Sequence, residues 1–222
     1  MIYNKDYREI ITGLDKSNTL IVTDPPYNVG WKYDTYKDSL SEEDYTNMFI
    51  PFKGYKFVVI HYIEHIIKYI VPVMGCPEKC VQWVYNTQMK KQHRTIAWFN
   101  CSPDFSKVKQ PYKSLNDKRI IKAMQNGSEG TNLYDWWNIN IVKNVSKEKE
   151  DYFNQIPEQV IYNIIKLTAK DTDIIFEPFM GSGTTPSVAS KLGFNYIATD
   201  ISEKAYNITK NRLSKIENNL FA

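Results

Sequence analysis

The stretch Asp173-Ile174-Ile175-Phe176-Glu177-Pro178-Phe179-Met180-Gly181-Ser182-Gly183-Thr184-Thr185 passes from a short apolar run into a glycine turn and then into a helical pattern over 184–192. Gly181 and Gly183 lack Cβ, so the turn is sharp and a ligand approaches its backbone closely. The helix start offers unpaired N–H groups and positive dipole, suited to a carboxylate or phosphate. A second apolar run, Tyr196 to Thr199, ends at Asp200, nineteen residues after Gly181. An acid there is placed to accept hydrogen bonds from ribose hydroxyls. Strand, turn, helix, strand and terminal acid together predict a site for an adenosine-type cofactor. No lysine follows Gly183, which excludes a P-loop.

Working outward, Thr19 to Thr23 reads as a buried strand and runs into Asp24-Pro25-Pro26-Tyr27. Such a motif falls at the carboxyl end of a strand, where α/β sheets bind ligands. It suits a planar base with an exocyclic amine. That amine is a poor nucleophile because its lone pair is delocalised into the ring. A carboxylate accepting one N–H and a backbone carbonyl accepting the other favour a tetrahedral nitrogen with a freer lone pair. Asp24 and the Pro25 carbonyl fit these roles, and two prolines fix φ and hold the carbonyl rigid. Tyr27 offers an aromatic face to a base taken out of its stack. The bland reading is a Pro-Pro turn that ends a strand, with Asp24 as a cap or ion-pair partner.

Apolar runs alternate with helical patterns, as in an α/β sheet. Phe57 to Ile60, Gln82 to Tyr85 and Arg94 to Phe99 are further predicted strands. Helices are expected over 5–14, 41–50, 62–71, 156–169, 184–192 and 202–217. Ser41 with Asp44, and Ser202 with Glu203, read as N-terminal caps. Helix 156–169 places Ile161, Ile164, Ile165 and Thr168 on one face. From Asn100 to Lys149 the pattern is irregular, which predicts a functional insertion.

The chain has 222 residues, 42 % hydrophobic and 14 % aromatic, enough for one well-cored domain. Its net charge is +3, yet ten basic residues lie between Lys79 and Lys122 against Asp104 and Asp117. A polyanion suits such a segment, because neutralising phosphates releases counterions. Lys90, Lys91, Arg94, Lys107, Lys109 and Lys113 are the candidate phosphate contacts. Cys76, Cys80 and Cys101 form a sparse, odd set that fits a reducing compartment and matches no zinc spacing, so no metal is expected. No run of about 18 apolar residues and no signal-peptide layout is present, so a cytoplasmic protein without a membrane partner is expected.

In this order the two motifs resemble the amino-methyltransferases of DNA, S-adenosylmethionine enzymes that methylate adenine N6 or cytosine N4. Residues 177–185 are similar to the family's Asp-Pro-Phe-x-Gly-Ser-Gly-Thr-Thr, with Glu177 for the first acid. The spacing does not separate a dinucleotide from S-adenosylmethionine; the resemblance selects the latter. A catalytic motif, a basic segment and then a glycine motif is the order of the beta group.

The resemblance implies a Rossmann-like, doubly wound α/β domain over 1–222. Its sheet would be mostly parallel and seven-stranded with an antiparallel edge, with a target-recognition insertion at about 86–134. Asp24, Pro25, Pro26 and Tyr27 would be catalytic. Asp6, Asp24, Glu177, Pro178, Phe179, Gly181, Ser182, Gly183, Thr184, Thr185 and Asp200 would hold the cofactor, Asp6 near its adenine. The family's usual lysine falls at Ile156 and its His-Pro at Tyr152-Phe153, so a contact to the cofactor's methionine end is lost. Thr184 and Thr185 at the helix start would compensate.

Aspartate at the head of the motif favours adenine in the family, which implies a site-specific adenine N6-methyltransferase acting on double-stranded DNA. Its context would be restriction-modification, and a homodimer follows by analogy. Cytosine N4 methylation is the alternative, and an inactive DNA-binding relative is another, favoured by Ile156. RNA is a further substrate reading, since an unpaired base shows the same edge.

Overall fold

The computed structural model describes residues 1–87 and 91–220. The chain begins with β1 (Ile2–Asn4), α1 (Tyr7–Ile11), β2 (Thr19–Thr23), α2 (Glu42–Asn47) and β3 (Lys56–His61). The short helices α3 (Ile63–His65) and α4 (Val71–Met74) are joined by a π-helical turn, Ile66–Ile70. Then come β4 (Lys79–Val84), β5 (His93–Phe99), β6 (Lys109–Gln110), α5 (Lys118–Gln125), β7 (Thr131–Asn132) and β8 (Trp136–Asn138). The chain closes with α6 (Glu158–Thr168), β9 (Ile174–Glu177), α7 (Thr184–Lys191), β10 (Tyr196–Asp200) and α8 (Glu203–Leu220).

Among the described residues, eight strands form one sheet in the order β1-β10-β9-β2-β3-β5-β4-β8. From β1 to β3 all neighbours are parallel, and β5 runs against both β3 and β4. The expected seven strands are therefore eight, and the antiparallel strand lies inside the sheet. The extra strand is β8, parallel to β4, with Trp137 paired to Trp83 and buried. Three residues with exposed flanks carry too little periodicity to reveal a strand; burial of Trp137 against the sheet decides it. The irregular middle holds more order than expected: α5, and a two-stranded ribbon of β6 and β7.

Alternating side chains build two cores, one on each face. Leu20, Val22, Val58, Ile60, Trp83 and Trp98 pack under α6 and α7, whose Ile161, Ile164, Ile165 and Val188 are buried as the pattern predicts. Ile21, Phe57, Val59, Phe99 and Phe176 point the other way, against Tyr7, Ile11, Tyr45, Phe49 and Phe52. The connection after β9 covers the first face and the connection after β2 covers the second. The direction of winding thus reverses between adjacent β9 and β2, the position where open α/β sheets bind ligands. Because these strands are parallel, Asp24, Glu177 and Asp200 all arrive at the same edge.

Candidate active site

A cavity of about 500 Å³ opens at this edge, lined among others by Asp6, Asp24, Tyr36, Phe179, Gly181, Thr184 and Asp200. Gly183 adopts φ 74°. A Cβ there would lie 2.6 Å from Thr209 Oγ1 and 2.8 Å from its Cγ2, so the glycine lets α8 close against the turn. Behind the turn, Arg212 donates to the Ser182 carbonyl (3.0 Å) and Thr184 Oγ1 (3.1 Å) and pairs with Glu158 at 2.8 Å. Sequence reasoning missed Arg212. Its one signal was its place on the stripe Ala205, Thr209, Leu213, which the structure buries.

Asp200 accepts from the Gly181 N–H through Oδ2 and from the Ser202 N–H through Oδ1, each at 2.9 Å. Burial raises its pKa, opposed by these bonds. Each oxygen keeps a second lone pair for a ligand hydroxyl. Asp6 caps α1 and is gripped by Arg8 at 2.9 and 2.6 Å. The Tyr36 hydroxyl, on the loop after the Pro-Pro motif, lines the cavity buried and without a hydrogen-bond partner among the described residues. Asp38 holds that loop by accepting from the N–H groups of Asn28, Val29 and Trp31. Acids at one end, a glycine cradle and an orphaned hydroxyl fit an adenosine-type group with its ribose.

Glu177 lines the same cavity and is buried, 4 % exposed. Its carboxylate accepts from Thr23 Oγ1 (2.6 Å), the Phe179 N–H (3.1 Å) and Thr185 Oγ1 (2.8 Å). Burial nevertheless pushes its pKa up to about 8, the donors opposing.

Asp24 lies on the wall of the same cavity. Its Oδ1 accepts from the Tyr27 hydroxyl at 2.5 Å, and its Oδ2 lies 3.8 Å from an Arg94 nitrogen. Burial raises its pKa to about 6, with Arg94 and Tyr27 pulling it down. The Pro-Pro loop is anchored from behind. The Tyr62 N–H donates to His61 Nδ1 at 2.7 Å, so the neutral ring carries its proton on Nε2, 2.7 Å from Tyr45 Oη. Tyr45 in turn donates to the Pro26 carbonyl at 2.6 Å. Burial holds the His61 pKa well below its ordinary value, which keeps this tautomer neutral.

A family profile described as DNA methylase, of the N6/N4 type, matches residues 47–211. The chain belongs to the N6/N4 DNA methylase family. The matched stretch contains the glycine turn and begins after Asp24–Tyr27. Similarity to whole relatives extends further: the type II methyltransferase M.BglII of Bacillus subtilis is 28 % identical over 99 % of this chain and 71 % of its own. M.HpaI of Haemophilus parainfluenzae is 27 % identical over 90 % and 69 %. The M1.HpyAVI–SAM complex superposes with a TM-score of 0.58 at 21 % identity, covering 96 % of this chain and 99 % of that one. The cytosine-N4-specific PvuII DNA methyltransferase superposes at 0.65 with 15 % identity, covering 96 % and 92 %. At these identities the structures share the fold.

Two expectations for this methylase are corrected by its geometry. Tyr27 does not present an open face: it is buried, stacked on His61 at 4.1 Å and 18°, with the Arg94 guanidinium 5.1 Å from its ring centre. Arg94 is no surface phosphate contact, because its side chain is 13 % exposed and paired with Asp24. Lys91, Lys107, Lys109 and Lys113 are exposed. Lys91 lies near Glu64 (3.1 Å), and Lys113 sits over the rings of Tyr134 and Trp136 at 5.0 and 4.7 Å. Lys90 lies outside the described residues. Ile156 is buried in the first core, and its carbonyl accepts from Thr184 Oγ1.

Proposed function

We propose that this methylase transfers a methyl group from S-adenosylmethionine to the exocyclic amine of a base flipped out of double-stranded DNA, with adenine N6 as the acceptor. The observation that carries the reading is Asp24: a carboxylate at the carboxyl end of β2 shares one cavity with the glycine turn and Asp200. The cofactor supplies, when bound, a methyl carbon made electrophilic by its sulfonium.

The chain's own groups do the rest. Asp200 and Asp6 accept from the polar rim of the adenosine, and the start of α7 faces its charged end. Asp24 accepts an N–H of the target amine and stabilises the positive charge that grows on that nitrogen as it attacks. At neutral pH the carboxylate is largely ionised, yet basic enough to take the proton the amine must lose. The His61–Tyr45–Pro26 relay keeps the loop from swinging as the base enters.

Residues 86–134 are the proposed target-recognition element. Lys107, Lys109 and Lys113, with Lys118, Arg119 and Lys122 on or beside α5, offer exposed positive charge to phosphates. Aspartate at the head of the motif supports adenine. Cytosine N4 is the second reading, favoured by Arg94 beside Asp24, whose fork of donors suits the two neighbouring acceptors of cytosine.

The test is incubation with S-adenosylmethionine and unmethylated DNA, digestion to nucleosides and mass spectrometry, with Asp24→Ala as control. N6-methyladenine is the expected product. N4-methylcytosine would select the second reading, and no modified base despite cofactor binding would overturn both.

A further inference from the structure

A second cavity, of about 420 Å³, adjoins the first. Trp83, Tyr85, Arg94 and Gln155 line it alone among these two, while Tyr152 and Phe153 line both. Asp24 belongs to the first cavity and Arg94 to the second, so the 3.8 Å between their side chains lies where the two spaces meet.

Arg94 is held in an unusual way. β5 pairs it in register with Trp83 of β4, and its guanidinium carbon lies 5.3 Å from the Trp83 ring centre and 5.1 Å from that of Tyr27. Two aromatic rings thus stabilise the cation where it sits. Its Nε is buried with no hydrogen-bond partner among the described residues. Leaving that donor unsatisfied is costly, while the guanidinium hydrogen-bonds the Tyr85 side chain, which lines the second cavity with it. At 3.8 Å Arg94 and Asp24 form an ion pair that is too long for a hydrogen bond, so the pairing uses no hydrogen-bonding position on either group.

We infer that Arg94 is a base-reading residue: its guanidinium donates to the ring nitrogen beside the amine that Asp24 accepts. The inference rests on the amino-methyl transfer proposed above and adds the feature that selects the base. Asp24 and Arg94 side by side present an acceptor next to a donor. Adenine and cytosine each offer the complement, an amine N–H next to a ring nitrogen with a free lone pair. The O6–N1 edge of guanine and the O4–N3 edge of thymine offer the reverse, a carbonyl oxygen next to a ring N–H, so on these edges each group would face a like group. Such a site rejects them through unpaired buried groups, which discriminate strongly. Lysine, a single rotatable ammonium, does not reproduce the planar fork.

The test uses short duplexes whose target base lacks only the ring nitrogen. The analogue is 1-deazaadenine where the wild-type product is N6-methyladenine, and 3-deazacytosine where it is N4-methylcytosine. kcat/KM is measured for the wild type, Arg94→Met and Arg94→Lys on natural and deaza duplexes. The wild type should lose about 10–100-fold on the deaza duplex, as expected for a hydrogen bond from a charged donor. Arg94→Met should be weakened on the natural duplex and nearly indifferent to the deaza change; this coupling is what a purely structural role would not produce. Arg94→Lys should keep part of the rate and part of the discrimination.

A wild type indifferent to the ring nitrogen would overturn the inference, even if Arg94→Met failed to fold. So would an undiminished deaza loss in Arg94→Met. Faster turnover by Arg94→Met would overturn it too and make Arg94 a plug in the base site. A wild type that methylates no base overturns the underlying transfer reading and this one with it.

Discussion

Thr23 donates a 2.6 Å hydrogen bond to Glu177, tying the strand that leads into Asp24 to the strand that enters the glycine turn. The same carboxylate accepts from Thr185 on α7 and from the Phe179 N–H, so one buried side chain fixes β2, the turn after β9 and the start of α7 relative to one another. Glu177→Ala leaves three donors without an acceptor and should cost about 2–4 kcal/mol, with cofactor affinity falling alongside stability. A loss of about 5–15 °C in Tm, read by calorimetry, is the expected size. An unchanged Tm would show that the three contacts are dispensable.

Glu177 also makes stability depend on pH. Its folded pKa, about 8, stands above the ordinary 4.5, so the folded chain binds this proton more tightly than the unfolded chain. Stability contributed here is fully present below about 4.5 and falls as pH rises towards 8. Glu177→Gln should flatten that fall, measured as urea midpoints at pH 5 and pH 8.

Asp24 should set the acidic limb of the reaction. Its pKa of about 6 arises from burial, with Arg94 and Tyr27 opposing, and Tyr33 and Glu177 also face it. Protonation removes the acceptor for the amine, so kcat/KM should fall with unit slope below pH 6. Asp24→Ala should cut kcat by about 100–10,000-fold while cofactor affinity stays within about threefold. Turnover that survives the substitution would remove Asp24 from the chemistry.

Asp200→Ala should separate from this cleanly. It removes the acceptor held by the Gly181 and Ser202 N–H groups, which is the acid proposed to meet the ribose. Cofactor affinity should weaken about 10–100-fold by titration calorimetry. At saturating cofactor kcat should largely recover, since the substitution leaves the Asp24 end intact.

Tyr45→Phe probes the relay behind the Pro-Pro loop. Removing the hydroxyl strands both the His61 Nε2–H and the Pro26 carbonyl. The expected cost is about 1–3 kcal/mol in stability. A larger proportional loss in kcat than in cofactor affinity should accompany it, because the loop that carries Asp24 loses its anchor. Equal losses in both would make the relay merely structural.

The amino-acid sequence by itself determined the parallel strands, the glycine turn, the three acids at the strand ends and the caps at Ser41 and Ser202. These are local: a period of two or 3.6 residues, a missing Cβ or a capping hydroxyl acts within a few positions. The placing of Asp24, Gly181 and Asp200 at one edge follows as soon as parallel strands are recognised. What only the tertiary structure decided is which distant groups meet. Arg94, read as a surface cation, is drawn inward because β4 and β5 pair and offer it the Trp83 ring. Tyr27 loses its open face because β3 ends in His61 directly beneath it. Arg212 reaches the glycine turn only because Gly183 lets α8 approach. Trp136–Asn138 becomes a strand because Trp137 finds a buried place beside β4. Each outcome rests on packing between segments far apart in the chain, where the energy belongs to the pair and neither segment's own pattern encodes it.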